Sequence, residues 1–248
     1  MMKVKNSADR GEIYLYGDII DDASGAFLES WGEGDGFQWP AEIRAQLDAL
    51  KGKPLTVYIN SDGGEVAAGV AIANMIARHD APTKAVVDGW CCSIATQAFF
   101  AADSREMPEN AYLMIHKPWT AVRGDADDLL RAAEFLDTLQ KGLETTYTKA
   151  ARDGVTPEKI HEMTEAETWL TGREAAELFE VTLTEAAPVL NCYGGAKARA
   201  MKRPEKITLV ENTAKPETAT PIFNAENQAK EAAKVKAVLA ITKGAMLR

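Results

Sequence analysis

The spacing of apolar residues along this chain changes several times, and each change marks an element. Residues 12–16 alternate and stop at Gly17, the pattern of a half-buried strand. Residues 21–40 are rich in Gly, Asp and Ser around Trp31 and Trp39 and read as a loop with a short helix. A helix over 41–50 places Ile43, Leu47 and Leu50 on one face. Residues 55–59 form a β-rich run that breaks into Asn60-Ser61-Asp62-Gly63-Gly64. A helix of small residues then carries Val66, Val70, Ala73 and Ile76 at helical spacing. The unit repeats, with a strand over 84–87, a turn Gly89-Trp90-Cys91-Cys92-Ser93 and a helix over 94–102. A third apolar run, Tyr112–Ile115, ends at His116.

Strands that alternate with helices through short glycine turns predict an α/β fold with parallel strands. Residues 125–149 read as a long amphipathic helix (Leu129, Leu130, Ala133, Phe135, Leu136, Leu139, Leu143) capped by Asp125. Thr156-Pro157 opens another helix, because threonine caps well and proline suits the first turn. Thr171 and Glu174 are spaced as a capping box for a further short one. After Gly194-Gly195 the composition shifts to Lys, Ala, Glu, Thr and Pro. The boundary is placed there: a folded domain over 1–195 and a basic extension over 196–248. A linker is expected near 216–221 and a terminal helix over 225–243.

Composition narrows the class. The 248 residues are 46% hydrophobic and 26% charged, ordinary for a globular chain. No apolar run reaches the roughly 18–20 residues of a membrane span, and the start shows no apolar signal segment. Three cysteines, Cys91, Cys92 and Cys192, make no even framework and no metal motif, which favours a reducing, cytoplasmic setting with free thiols. The net charge of −9 is uneven: residues 196–248 hold 11 basic and 5 acidic side chains, +6, leaving 17 and 32, or −15, for the rest. An acidic body argues against nucleic acid as the main partner.

Three histidines limit the catalytic candidates. His79 follows a helix, where an imidazolium suits the dipole, and His161 lies among helical charges; both read as surface residues. His116 ends an apolar run, where α/β proteins place reactive groups, although a satisfied core histidine fits equally well. Ser93 sits on a strand-to-helix turn and reads either as a helix cap or as a nucleophile lifted clear of the sheet. The stricter Gly-x-Ser-x-Gly elbow is absent, since Cys91 and Ala95 hold the glycine positions. Gly63-Gly64 reads either as a tight turn or as a source of backbone N–H groups for an oxyanion hole. Cys92 reads as a small packing residue rather than a nucleophile.

In order and spacing these segments resemble the proteolytic subunit of the Clp protease family. Tyr58-Ile59-Asn60-Ser61-Asp62-Gly63-Gly64 resembles its Asn-Ser-Pro-Gly-Gly strand end, with Asp62 in place of proline. Gly89-Trp90-Cys91-Cys92-Ser93-Ile94-Ala95 resembles its nucleophile segment, and Met114-Ile115-His116-Lys117-Pro118 its histidine segment. The likeness covers about residues 12–184. It implies a ClpP/crotonase-type spiral of ββα units with a protruding helix–strand handle, and serine endopeptidase chemistry without metal or organic cofactor. Carried over, Ser93 is the nucleophile, His116 the base, and the N–H groups of Gly64 and Ile94 the oxyanion hole. Alignment on Trp169-Leu170-Thr171 puts Glu167 where the family has aspartate; Glu165, or a dyad without an acid, remains open.

The long 21–40 stretch, the Glu-Thr-Trp segment and the basic tail resemble the phage and prophage head-maturation branch. That branch implies a protein substrate such as phage scaffold or capsid, in the cytoplasm or an assembling procapsid, and the family resemblance as a whole implies homo-oligomeric rings. The alternatives are a housekeeping subunit working with an ATP-dependent (AAA+) unfoldase, or a degenerate assembly subunit. A crotonase-like acyl-CoA enzyme shares the fold and the oxyanion hole but needs no serine and histidine at these positions.

Overall fold

Two parallel strands separated by a helix form the repeating unit of the computed structural model, which describes residues 4–186. In chain order the elements are β1 (Val4–Asn6), β2 (Gly11–Ile19), α1 (Asp22–Ser30), β3 (Phe37–Gln38), α2 (Pro40–Ala49), β4 (Leu55–Gly64), α3 (Val66–Ala77), β5 (Thr83–Cys92), α4 (Ala95–Ala101), β6 (Ser104–Pro108), β7 (Tyr112–Ile115), α5 (Ala126–Ala150), α6 (Pro157–Glu165), β8 (Thr168–Thr171), α7 (Gly172–Leu178) and β9 (Thr182–Thr184). The sheet runs β1-β2-β4-β5-β6-β9, with β3 on β2, and β7 joining β5 to β8. The β2–β4, β4–β5 and β5–β7 pairs are parallel, whereas β7–β8 is antiparallel.

Alternation decides what lies inside. In β2, β4 and β5 every second side chain is buried: Ile13 and Leu15, Leu55, Val57 and Ile59, Ala85 and Val87. They meet the buried stripes of α2, α3 and α4, including Ile43, Leu47, Ile72, Ile76 and Phe99. On the other face of the sheet, half-buried Tyr14 stacks on Tyr58 with ring centres 5.1 Å apart.

The strands run further than apolar periodicity predicts. Asn60 and Ser61 interrupt the hydrophobic run, yet they are buried inside β4 and staple neighbouring strands. Ser61 Oγ donates to the Gly17 carbonyl (2.6 Å), and Asn60 Oδ1 accepts from Trp90 N–H (3.1 Å). Both contacts lie where the ladder changes register, between Tyr16 and Asp18 on β2 and between Ile59 and Ser61 on β4. Buried polar groups with partners cost little, so the polar residues do not end the strand.

The caps read from sequence are present. Asp125 Oδ1 accepts from Asp128 N–H, Thr156 accepts from Lys159 N–H, and Thr171 with Glu174 closes the full capping box. Between β7 and α5 the described chain forms no strand. The expected boundary at 195, the extension over 196–248, Cys192, the linker and the terminal helix lie outside the described residues.

Candidate active site

The parallel strands β5 and β7 end side by side, and that brings Ser93 to His116. Cys92 pairs with Met114, and Ser93 N–H donates to the Met114 carbonyl (2.8 Å), so the next residue of each strand emerges at the same edge. Ser93 Oγ lies 2.7 Å from His116 Nε2. Ser93 has φ 55°, a left-handed conformation rare for a residue with a Cβ. It turns the side chain out of the strand and away from a capping role. The following helix has Ile94 as its N-cap with no side-chain hydrogen bond. The Ser93 hydroxyl is turned to His116 and not to the helix start.

Three further features surround this pair. Gly63 has φ 94°, and a Cβ on it would fall 2.7 Å from Ser93 Cβ and 3.2 Å from Ile94 N. Only glycine lets the β4 backbone approach the serine turn this closely. The Gly63 N–H is committed to Ser61 Oγ (3.1 Å). Gly64, at φ 153°, has no room for a side chain either, since its Cβ would meet the Ile19 carbonyl. That carbonyl accepts the amide of Glu65 (2.9 Å).

The antiparallel β7–β8 register brings a carboxylate near His116. Tyr112 pairs with Thr171, and the pairing continues to Ile115 with Thr168, so one further step sets Glu167 across from His116. Glu167 has φ 51°, just past the Ala166 C-cap of α6. Glycine or asparagine normally fills such a position, and a left-handed glutamate costs roughly 1–2 kcal/mol. Glu165 has other commitments: its carboxylate accepts from Lys117 Nζ and Gln140 Nε2, both at 2.9 Å, which hold it below the usual carboxylate range.

Burial pushes the His116 imidazole below the ordinary histidine value, and the charge of Glu167 partly opposes that shift. The two side chains interact through charge, without a hydrogen bond between them. An imidazole nitrogen 2.7 Å from a serine hydroxyl is within reach of its proton. Cys91 and Cys92 are both fully buried, and burial raises the Cys91 thiol. His79 bonds the Lys53 carbonyl (2.8 Å) and His161 the Glu144 carboxylate (3.0 Å), so neither reaches the serine. Among the described residues no group of three or more His, Cys, Asp or Glu side chains is arranged to hold a metal, and no helix is long and apolar enough to cross a membrane.

Sequence reasoning missed the residues behind the serine turn. Thr96 Oγ1 donates to the Ser93 carbonyl (2.6 Å) and lies 2.7 Å from Tyr147 OH. The available signal was Thr96-Gln97, two polar residues inside an otherwise apolar short helix.

Known proteins carry the same frame. The chain is 31% identical over 141 residues to an ATP-dependent Clp protease proteolytic subunit 2 of Gluconobacter oxydans, covering 54% of this chain and 62% of that protein. It is 32% identical over 129 residues to a proteolytic subunit of Streptococcus pneumoniae, covering 50% and 65%. The chain thus spans a little under two thirds of the length of these relatives. A solved ClpP1 mutant of Listeria monocytogenes superposes with a TM-score of 0.54 at 24% identity, over 70% of this chain and 91% of that one, and shows the shared fold. The profile described as Clp protease matches residues 38–178, more than half of the chain and all of the segments that carry Ser93, His116 and Glu167. The chain belongs to the Clp protease family.

Proposed function

We propose that this chain is a serine endopeptidase in which Ser93 attacks the peptide carbonyl and His116 takes its proton. The observation that carries this reading is the 2.7 Å contact between Ser93 Oγ and His116 Nε2, made by a serine held at φ 55°. Glu167 favours the imidazolium that forms, and the N–H groups of Gly64 and Ile94 receive the oxyanion. His116 then protonates the leaving amine, and water releases the acyl group from Ser93. No metal or organic cofactor enters this scheme.

The substrate is a protein or peptide, and the working form is a ring-shaped homo-oligomer. The 21–40 insertion, which builds α1 and β3, and the basic segment beyond residue 195 support a role in trimming phage scaffold or capsid protein, in the cytoplasm or inside a procapsid. The similarity to proteolytic subunits of ATP-dependent Clp proteases favours a second reading, a proteolytic subunit served by an ATP-dependent unfoldase.

A fluorophosphonate probe tests the chemistry: it is expected to label the wild-type chain at Ser93 and to leave Ser93→Ala unlabelled. Labelling that survives Ser93→Ala, or a wild type that never labels, refutes the peptidase reading. Incubation with a candidate scaffold protein, with and without an unfoldase and ATP, separates the two biological roles.

A further inference from the structure

Two buried hydroxyls, those of Tyr147 and Thr96, form a chain of hydrogen bonds that ends on the backbone of the serine turn. Tyr147, on α5, is fully buried and meets Phe100 edge-on with ring centres 5.8 Å apart, surroundings in which an unpaired hydroxyl would be costly. Its OH lies 2.7 Å from Thr96 Oγ1, which is 2.6 Å from the Ser93 carbonyl. A threonine hydroxyl has one hydrogen, and the carbonyl can only accept. Thr96 therefore donates to Ser93 O, and Tyr147 donates to Thr96. Gln97, also buried, follows Thr96, and its Nε2 donates to the Leu143 carbonyl (3.4 Å). Thr96 N–H donates to the same Ser93 carbonyl (3.0 Å), so both acceptor sites of that oxygen are engaged.

The Ser93 carbonyl and the Ile94 N–H belong to one peptide unit. Donors on the oxygen fix the plane of that unit against rotation, and they draw electron density through the amide, which makes the N–H a stronger donor. We infer that Thr96 and Tyr147 are positioning residues for peptide hydrolysis: their hydroxyl relay orients and polarises the Ser93–Ile94 peptide, so that its N–H meets the oxyanion formed on the substrate. The inference rests on the peptidase reading and on Ile94 as an oxyanion donor.

An oxyanion donor acts in the transition state, so its loss lowers kcat and spares KM. Tyr147→Phe and Thr96→Val are expected to reduce kcat and the fluorophosphonate acylation rate about 5- to 30-fold, with KM changed less than about twofold. Thr96→Ser, which keeps the hydroxyl, restores most of the rate, and the double variant is no slower than the worse single one. Circular dichroism melts confirm that each variant is folded at the assay temperature. Because Tyr147→Phe removes one oxygen from a packed core, it is the decisive variant should Thr96→Val fold poorly. Unchanged acylation in a folded Tyr147→Phe, or a rate loss expressed only in KM, overturns the relay.

The His116 ring signal, followed by NMR in histidine-labelled protein, separates this failure from that of the peptidase reading. A wild type that never labels, with a His116 signal that moves in Tyr147→Phe, sinks the peptidase reading while the relay still orders the turn. A labelling wild type with unaffected variants sinks the relay alone.

Discussion

Burial and charge act on the His116 imidazole in opposite directions, and their balance sets the pH range of the site. Burial disfavours the charged ring and is the larger effect; the Glu167 carboxylate favours it. In the proposed mechanism the base works as neutral imidazole, so activity should fall as pH drops through the folded-state pKa. Because that value lies below the ordinary 6.5, the acid limb of kcat/KM is expected below pH 6.5. Glu167→Gln removes the opposing charge and moves the limb to lower pH still, while it withdraws support from the imidazolium. The rate loss should be on the order of ten- to a hundredfold, less than the 10²–10⁴ contributed by general acid–base catalysis as a whole. Glu165→Gln, which breaks an exposed ion pair with Lys117, should change kcat less than about threefold. A pH–rate profile of the three proteins checks this; a larger loss in Glu165→Gln would transfer the acid role to that residue.

Glycines decide how closely the elements approach one another at the site. Alanine at Gly63 forces a left-handed backbone and a Cβ 2.7 Å from Ser93 Cβ, so the serine turn must shift. A displacement near 1 Å at the reacting group costs on the order of 100-fold, and Gly63→Ala should lose about that much acylation rate. Gly142, exposed on α5 with open space where a Cβ would go, supplies the contrast. Gly142→Ala should raise Tm by about 2–4 °C and leave acylation unchanged; a rate loss equal to that of Gly63→Ala would mean that packing elsewhere governs the turn. This scale also shows what the sequence could disclose. The β–turn–α repeats, the caps and the strand end at His116 were legible, because each rests on local periodicity or on one residue's hydrogen bond. The strand character of Asn60-Ser61 was not, because their burial depends on partners in β2 and β5. Glu167 rested on alignment alone until the β7–β8 register, a long-range property, placed it across from His116. Tyr147 drew no reading from the sequence, because its place beside the serine turn rests on a long-range contact with Thr96 of α4.

At the scale of the molecule, α5 has unequal halves. Its buried residues, Gln140, Leu143, Tyr147 and Ala150, all lie in the C-terminal part. In the N-terminal part Leu130 and Phe135 are 63% and 61% exposed, Leu129 is also exposed, and Trp119 and Val122 before the helix share that exposure. Scattered exposed leucines are ordinary, but five large apolar side chains within seventeen residues point to a protein interface. Self-association through such a surface fits a chain whose family resemblance implies stacked rings, and closed symmetry would cover the same patch on every copy. Light scattering of the full chain at micromolar concentration should therefore give a mass of several subunits. Leu130→Glu combined with Phe135→Glu should shift that mass towards smaller species without lowering the secondary-structure signal, since neither side chain belongs to the buried core. A monomeric wild type, or an assembly indifferent to both charges, would place the subunit contact elsewhere and leave this half of α5 unexplained.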